Sequence, residues 1–121
     1  SIGSEKYEYD ILGRISSVTH FNMNGNLEKT ITMLYNDTSG RKTKIITDKS
    51  KKLIRRIETR NNSQNKKIIQ ATFDSKSRLT QKKTIGYNQN GYLHRIHDYD
   101  MLKPSETNGP ILINIITYEY D

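Results

Sequence analysis

The sequence predicts an all-β protein, an antiparallel β-meander of about nine strands forming a twisted open sheet or partial barrel. Three observations favour this class. A motif whose first residue is aromatic in most copies, followed by Asp or Asn, recurs at alternating steps of 12 and 14 positions. Ala, the strongest helix former, occurs once, whereas Tyr, Ile and Thr, which favour strands, are frequent. The 121 residues include only two prolines, which argues against disorder although the apolar fraction is 32%.

The repeat reads aromatic, Asp or Asn, two variable residues, a turn residue, a polar residue and an aliphatic residue. Its clearest copies begin at Tyr9, Phe21, Phe73 and Tyr87. Weaker copies begin at positions 35, 47, 61 and 99, and one more begins at 120. The second position is Asp or Asn in all nine copies. The alternating steps indicate a unit of two strands and 26 residues.

Each copy predicts a tight turn followed by a strand of about seven to nine residues. Asp or Asn, with Gly three positions later, is typical of a hairpin loop that ends in a G1 bulge. The turn residues expected to adopt a positive φ without difficulty are Gly13, Gly25, Asn65 and Gly91. Looser turns are expected where this position is Lys51, Ser77 or Lys103.

The repeat positions predict how side chains are distributed between the two faces of the sheet. Because 12 and 14 are even, the aromatic and aliphatic positions carry odd numbers, and residues two apart in a strand share a face. We therefore expect one mainly apolar face and one polar face. The repeat residues assigned structural roles are Tyr9, Asp10, Gly13, Arg14, Phe21, Asn22, Gly25, Phe73, Asp74, Tyr87, Asn88, Gly91, Tyr99, Asp100, Tyr120 and Asp121.

The end of the chain departs from the repeat. Residues 100–110 contain both prolines and predict one long loop within a single domain that spans residues 1–121. Residues 111–120 form the most apolar predicted strand. Such a strand is expected to be buried on both faces or to meet another chain, because it would promote aggregation if left exposed.

Several kinds of chemistry are excluded or disfavoured. The absence of Cys excludes disulfides, thiolate metal sites and a cysteine nucleophile. No apolar run approaches the roughly 18 residues of a membrane-spanning helix. His94 and His97, three residues apart on a strand, would point to opposite faces, so we expect no metal site. Turn chemistry accounts for the Asp residues, and we expect no catalytic residue and no cofactor.

The net charge of +7 has two interpretations. The basic residues would bind an anionic partner, or they would form a solvated surface that protects the sheet from aggregation. Nucleic acid is the less favoured partner, because few aromatic residues accompany the basic ones. The basic residues of this candidate patch are Lys52, Arg55, Arg56, Arg60, Lys66, Lys67, Arg78, Lys82 and Lys83.

The segment Tyr7-Glu8-Tyr9-Asp10-Ile11-Leu12-Gly13-Arg14-Ile15 resembles the YD repeat of Rhs-type and teneurin-type proteins, whose pattern is close to Y-x-Y-D-x-x-G-R-L. Residues 118–121 match its start. The resemblance implies an extended β-sheet with a structural or surface role, without catalysis, and related repeats occur in bacterial envelope proteins. It also implies that Asp10, Gly13 and Arg14 shape a turn and that Tyr9 packs.

From these observations we expect a non-enzymatic structural or surface module that presents a sheet face to a partner. The expected partner is a protein or an envelope polysaccharide, with self-association through edge strands as a further expectation. The expected location is extracellular or in the cell envelope. The alternative is a module that binds a polysaccharide or another anionic polymer. Exposed tyrosines on one face would favour sugar binding, whereas buried tyrosines would favour a scaffold.

Overall fold

The computed structural model describes residues 3–101 and 111–119. It contains one antiparallel sheet in which the nine strands lie in chain order, as predicted. The strands are β1 (Ser4–Tyr9), β2 (Ile15–Phe21), β3 (Leu27–Asn36), β4 (Arg41–Asp48), β5 (Leu53–Asn61), β6 (Lys67–Phe73), β7 (Leu79–Tyr87), β8 (Leu93–Asp100) and β9 (Ile111–Thr117).

The sheet is a single open layer. Within the described residues each strand contacts only its neighbours in the chain, and β1 and β9 each have one unpaired edge. Among the described residues no hydrophobic side chain is buried, and Thr59, 8% exposed, is the one buried polar residue. The order of the fold therefore comes from strand pairing and from contacts between neighbouring side chains, rather than from a core between layers.

The predicted hairpin turns recur along the chain. The N–H of Asp10 donates to the Arg14 carbonyl at 2.8 Å, and the N–H of Gly13 donates to the Asp10 carbonyl at 3.0 Å. The same two bonds recur in the turns that begin at Asn22, Asp48, Asn62, Asp74 and Asn88. The turn between β3 and β4 differs, because Asn36 pairs directly with Arg41 across a four-residue loop.

The turn position with a positive φ is occupied as predicted at Gly13, Gly25, Asn65 and Gly91. The expectation of looser turns at Lys51 and Ser77 is wrong. These residues adopt φ of 63° and 60° and donate the same turn hydrogen bonds, at 2.9 and 3.0 Å. The Asp that begins each of these two turns holds the loop in shape although the turn residue is unfavourable. Lys103 lies outside the described residues.

The expectation of one apolar and one polar face is also wrong. Tyr7 pairs with Val18, Val18 with Ile31, and Ile31 with Ile46, so residues on one face alternate between odd and even numbers from strand to strand. The reason is a one-residue register shift beside most turns, as between Glu8 and Tyr9. Such a bulge reverses the facing of every residue beyond it.

We name the two faces by their aromatic residues. The tyrosine face carries Tyr7, Tyr35 and Tyr87, and the phenylalanine face carries Phe21 and Phe73, as the paired registers place them. The 26-residue unit separates them further. Positions 9, 35, 61 and 87 lie at one end of the sheet on the tyrosine face, and positions 21, 47, 73 and 99 lie at the other end on the phenylalanine face.

The last strand is not buried on both faces within this chain, since Leu112 and Ile115 are 41% and 54% exposed. β9 is the edge strand of the described sheet, and no other described strand lies beside its outer edge. Most of the predicted loop (residues 102–110) lies outside the described residues, as do Tyr120 and Asp121. The described residues include no helix long and apolar enough to cross a membrane.

Candidate functional site

The Asp and Asn residues of the repeat hold the turns. Asp10 Oδ1 accepts hydrogen bonds from the N–H groups of Leu12 and Arg14, each at 2.9 Å. Corresponding side-chain bonds form in the turns that begin at Asn22, Asp48, Asn62, Asp74 and Asn88. These side chains are committed to the backbone, which accounts for their place in the repeat.

These hydrogen bonds also favour the ionised form of the turn carboxylates. The backbone N–H of Arg14 lowers the pKa of Asp10, that of Lys52 lowers the pKa of Asp48, and that of Arg78 lowers the pKa of Asp74. The arginines of two turns add ion pairs, with Arg14 Nε 2.8 Å from Asp10 Oδ2 and Arg78 Nε 2.9 Å from Asp74 Oδ2.

The basic residues predicted as one anionic-partner patch do not form one patch. The strand registers place Arg55, Lys67 and Lys83 on the tyrosine face, where Lys66 also contacts Tyr87. They place Arg56, Arg60 and Lys82 on the phenylalanine face, and Lys52 and Arg78 lie in turns. The prediction of one patch fails for the same reason as the single apolar face, because bulges reverse the facing.

Cation–tyrosine pairs mark one end of the tyrosine face. The Arg14 guanidinium lies 4.1 Å from the centre of the Tyr35 ring, and the Tyr35 hydroxyl donates to the Ile15 carbonyl at 2.7 Å. Two units later, Lys66 Nζ lies 5.3 Å from the centre of the Tyr87 ring, and the Tyr87 hydroxyl donates to the carbonyl that follows Lys66 at 2.7 Å. The same contact therefore recurs at a spacing of two units.

Tyr9, which begins this row, does not pack as the resemblance implied. It is 60% exposed, because β1 is an edge strand of the described sheet and its outer side has no described neighbour for the ring to pack against. Tyr7 on the same strand is 46% exposed, and its hydroxyl donates to the Glu5 carboxylate. Tyr99, on the phenylalanine face, makes an edge-to-face contact with His97 at 6.3 Å between ring centres.

The unit between the two cation–tyrosine pairs lacks both partners. Gly40 stands where the other units have Arg14 and Lys66, and Asn61 stands where they have a tyrosine. The Asn61 N–H donates to the Gly40 carbonyl at 2.8 Å, so the two residues face each other across β4 and β5. Gly40 adopts φ +68°, and a Cβ there would lie 2.9 Å from the Asn61 carbonyl oxygen. The backbone geometry therefore disfavours any side chain at position 40.

The missing side chains leave a groove of about 540 Å³ on the tyrosine face, which we call the tyrosine-gap groove. This volume is within the range of small-molecule sites. Thr59, the one buried polar residue described, lines it. The groove is also lined by Arg14, Tyr35, Lys42, Asn61 and Lys67.

The groove offers positive charge and hydrogen-bonding groups. Lys42 and Lys67 are exposed, and neither forms an ion pair within the described part of the chain. Asp37 is the carboxylate of the lining, and Arg14 Nη1 lies 2.7 Å from its Oδ1. Residues 3–101 and 111–119 contain no group of three His, Cys, Asp or Glu that could hold a metal ion. The arrangement is suited to binding an anion.

Most residues of the groove were not predicted from the sequence as site residues. Of its residues, Arg14 and Lys67 were singled out, but Tyr35, Lys42, Thr59 and Asn61 were not predicted as site residues. A signal for it does exist in the sequence. A row of positions 26 apart reads Tyr9, Tyr35, Asn61 and Tyr87, so one aromatic position is occupied by an amide.

Comparison with known proteins gives the fold but no family. No family model matches the chain, and no curated protein matches it. The chain is similar to the crystal structure of a protein of unknown function from Bacteroides fragilis NCTC 9343, with 14% sequence identity and a TM-score of 0.67. The match covers 95% of this chain and 92% of that chain. The open antiparallel sheet is therefore a fold that this chain shares with that solved protein.

Proposed function

We propose that this chain is a non-enzymatic, repeat-built structural or surface module of the YD-repeat type, which presents a β-sheet face to a partner. The observation that carries the proposal is the single layer. A sheet without a second layer leaves two faces open, and the described hydrophobic side chains stay partly exposed. Exposed patches of this kind on a folded protein commonly mark interaction surfaces.

The resemblance supports a location outside the cell or in the envelope, because the repeat that this chain resembles is found on cell surfaces. The chain also carries a net charge of +7. A partner with negative charge, either a protein or an envelope polysaccharide, would be attracted to it at long range. Self-association through β1 or β9 is a further part of the proposal, because both edge strands have unpaired backbone groups.

A second candidate function, binding of a polysaccharide or another anionic polymer, is favoured by one specific observation. The tyrosine-gap groove combines a half-buried tyrosine ring with two exposed lysines. The state of the tyrosines lies between the two expected extremes. Tyr9 and Tyr92 are 60% and 56% exposed, whereas Tyr35 and Tyr87 are half-buried. These four tyrosines are thus neither all buried nor all exposed.

Co-sedimentation tests the proposed function. The purified chain is mixed with insoluble bacterial envelope fractions, with and without prior protease treatment, and compared with the variants Lys42→Glu and Lys82→Glu. These two variants change the net charge equally, but Lys42 lies on the tyrosine face and Lys82 on the phenylalanine face. We expect retention that one of the two variants reduces and the other preserves.

The protease arm separates the two partner classes, since a protein partner is lost on digestion and a polysaccharide is not. Absence of retention in every fraction would contradict the proposed function. Equal loss in both charge variants would also contradict it, because binding would then follow net charge rather than a sheet face.

A further inference from the structure

We propose that the tyrosine-gap groove binds a short segment of an acidic polysaccharide, one whose sugar rings carry carboxylates. This inference rests on the proposed function, since it assigns the face and the ligand class. The groove lies between two cation–tyrosine pairs and exists because Gly40 and Asn61 replace the large side chains of the other units. It is therefore a local departure in an otherwise repeated surface.

The size of the groove favours part of a polymer over a small free ion. It lies between Tyr35 on β3 and Lys67 on β6, which are three strand spacings or roughly 14 Å apart. The groove lies on an open sheet face, because no second layer among the described residues covers it. A chain of sugars could enter and leave such a groove without being cut.

The positive charge of the groove favours an anionic ligand. Lys42 and Lys67 are exposed and free of ion pairs in the described residues, and the carboxylate of Asp37 is held by Arg14 at 2.7 Å. Lys44 and Arg55 continue the positive charge along the same face, on β4 and β5. Carboxylates spaced along a polymer can each accept a charge-assisted hydrogen bond from these groups.

The remaining lining groups favour a sugar over a bare phosphate chain. Asn61 Nδ2 donates a hydrogen bond to Asn65 Oδ1 at 2.9 Å. This bond leaves the Oδ1 of Asn61 as an acceptor for other donors. Sugar hydroxyls are such donors, whereas a fully ionised phosphate chain has none. The Tyr35 ring, with Arg14 on one face at 4.1 Å, offers the weakly negative surface on which the C–H groups of a sugar ring rest.

An NMR titration with defined probes tests the inference. A short oligogalacturonate is added to the ¹⁵N-labelled chain, and its methyl ester and inorganic polyphosphate are added in separate arms. We expect saturable shifts at Tyr35, Lys42, Thr59, Asn61 and Lys67 with oligogalacturonate and much weaker shifts with the ester. Shifts at other residues would overturn the inference, because the ligand would then bind outside the groove. Equal shifts with polyphosphate at these residues would also overturn it, because the groove would then recognise negative charge and not the sugar.

Two variants sharpen the result. The double variant K42Q/K67Q should weaken oligogalacturonate binding about tenfold, because two exposed charge contacts are lost. The matched control K76Q/K82Q removes the same charge from a turn and the phenylalanine face and should leave binding nearly unchanged. Equal weakening in the two double variants would contradict the assignment of the groove.

The variant Asn61→Tyr should fill the groove. By analogy with Tyr35 and Tyr87, the new hydroxyl would reach the carbonyl of Arg41, so this variant should remain folded but lose binding. Retained binding in folded N61Y would overturn the inference. If the chain sediments with envelope fractions but does not bind oligogalacturonate, this inference fails while the proposed function stands.

Discussion

Individual turn residues explain why Asp and Asn alternate freely at the second repeat position. Asp74 Oδ1 accepts from the N–H groups of Lys76 and Arg78 at 2.9 and 3.0 Å, and Asn88 Oδ1 accepts equivalent bonds at 3.0 Å. Because the acceptor oxygen is common to both side chains, either residue can close the turn. The carboxylate adds charge, and this charge makes the turn sensitive to pH.

The pH dependence follows from the lowered pKa values of Asp10, Asp48 and Asp74, whose ordinary value is 3.8. A carboxyl with a lower pKa in the folded state contributes stability that is present above its unfolded pKa and lost as the pH falls through its folded pKa. We expect the urea midpoint of the wild type to fall more between about pH 6 and about pH 2 than that of D10N/D48N/D74N. An equal fall of the urea midpoint in the two proteins would show that the turn carboxylates do not contribute to the pH dependence of stability.

The tyrosine hydroxyls that reach backward across the sheet provide a second prediction. Tyr87→Phe removes the hydrogen bond to the Lys67 carbonyl and should lower the free energy of unfolding by about 0.5–1.5 kcal/mol. Tyr35→Phe should behave alike, because its hydroxyl bonds the Ile15 carbonyl. Tyr9→Phe is the control, since Tyr9 is 60% exposed and its hydroxyl makes no such bond to any described residue. Urea denaturation followed by circular dichroism measures all three, and an equal effect at Tyr9 would contradict this account.

At the scale of the elements, each hairpin from β1 to β8 contains one residue with a positive φ. Glycine adopts this conformation without cost, whereas other L-residues pay roughly 1–2 kcal/mol. Ser77 adopts this unfavourable conformation, with φ 60°, in the turn between β6 and β7. Gly25 adopts it without strain, with φ 81°, in the turn between β2 and β3. The two turns lie at the same end of the sheet and make the same backbone hydrogen bonds.

Exchanging these two residues tests the turn directly. Ser77→Gly should raise the free energy of unfolding by about 0.5–1 kcal/mol, and Gly25→Ser should lower it by a similar amount. A Cβ at Gly25 would meet no atom within 4 Å, so backbone strain is the cause of the expected loss rather than a clash. Thermal unfolding measures both variants. If Ser77→Gly were neutral or destabilising, the turn would not carry the strain assigned to it.

Strands and turns could be predicted from the sequence because their chemistry is local. The Asp or Asn at 10, 22, 74 and 88, with Gly or Ser three positions later, specifies a loop, and the even spacing specifies the strand lengths. The facing of side chains could not be predicted in the same way. The G1 bulge of the loop follows from the turn sequence, but the further one-residue shift between His20 and Phe21 depends on how the two strands pair and has no clear signature in either one.

At the scale of the whole molecule, the single layer makes the sheet a quasi-one-dimensional structure. Each strand is stabilised by its two neighbours, and the edge strands β1 and β9 have one neighbour each. Stability is then roughly a sum of hairpin and nearest-neighbour terms. The low apolar content of the chain is consistent with this arrangement, since no space between layers has to be filled.

The candidate site could be predicted only in part, because it arises from what the repeat lacks. Arg14 and Lys67 were recognisable as basic residues, but the groove depends on Gly40 and Asn61 facing each other across two strands. That pairing is a consequence of the register of β4 and β5, which the sequence pattern leaves open. The broad charge was thus evident from composition, whereas its division between two faces required the structure.

The central claim, that both faces of a single-layer sheet are open for a partner, is tested most directly by solvent paramagnetic relaxation. A soluble gadolinium chelate is added to the chain with ¹³C-labelled methyl groups, and the enhancement is measured at side-chain methyl groups of the inner strands. We predict strong enhancement on both faces, at Ile31 and Ile57 on the tyrosine face and at Leu34 and Ile69 on the phenylalanine face. Strong enhancement on one face and protection on the other would contradict the claim, because a second layer or another copy of the chain would then cover the protected face.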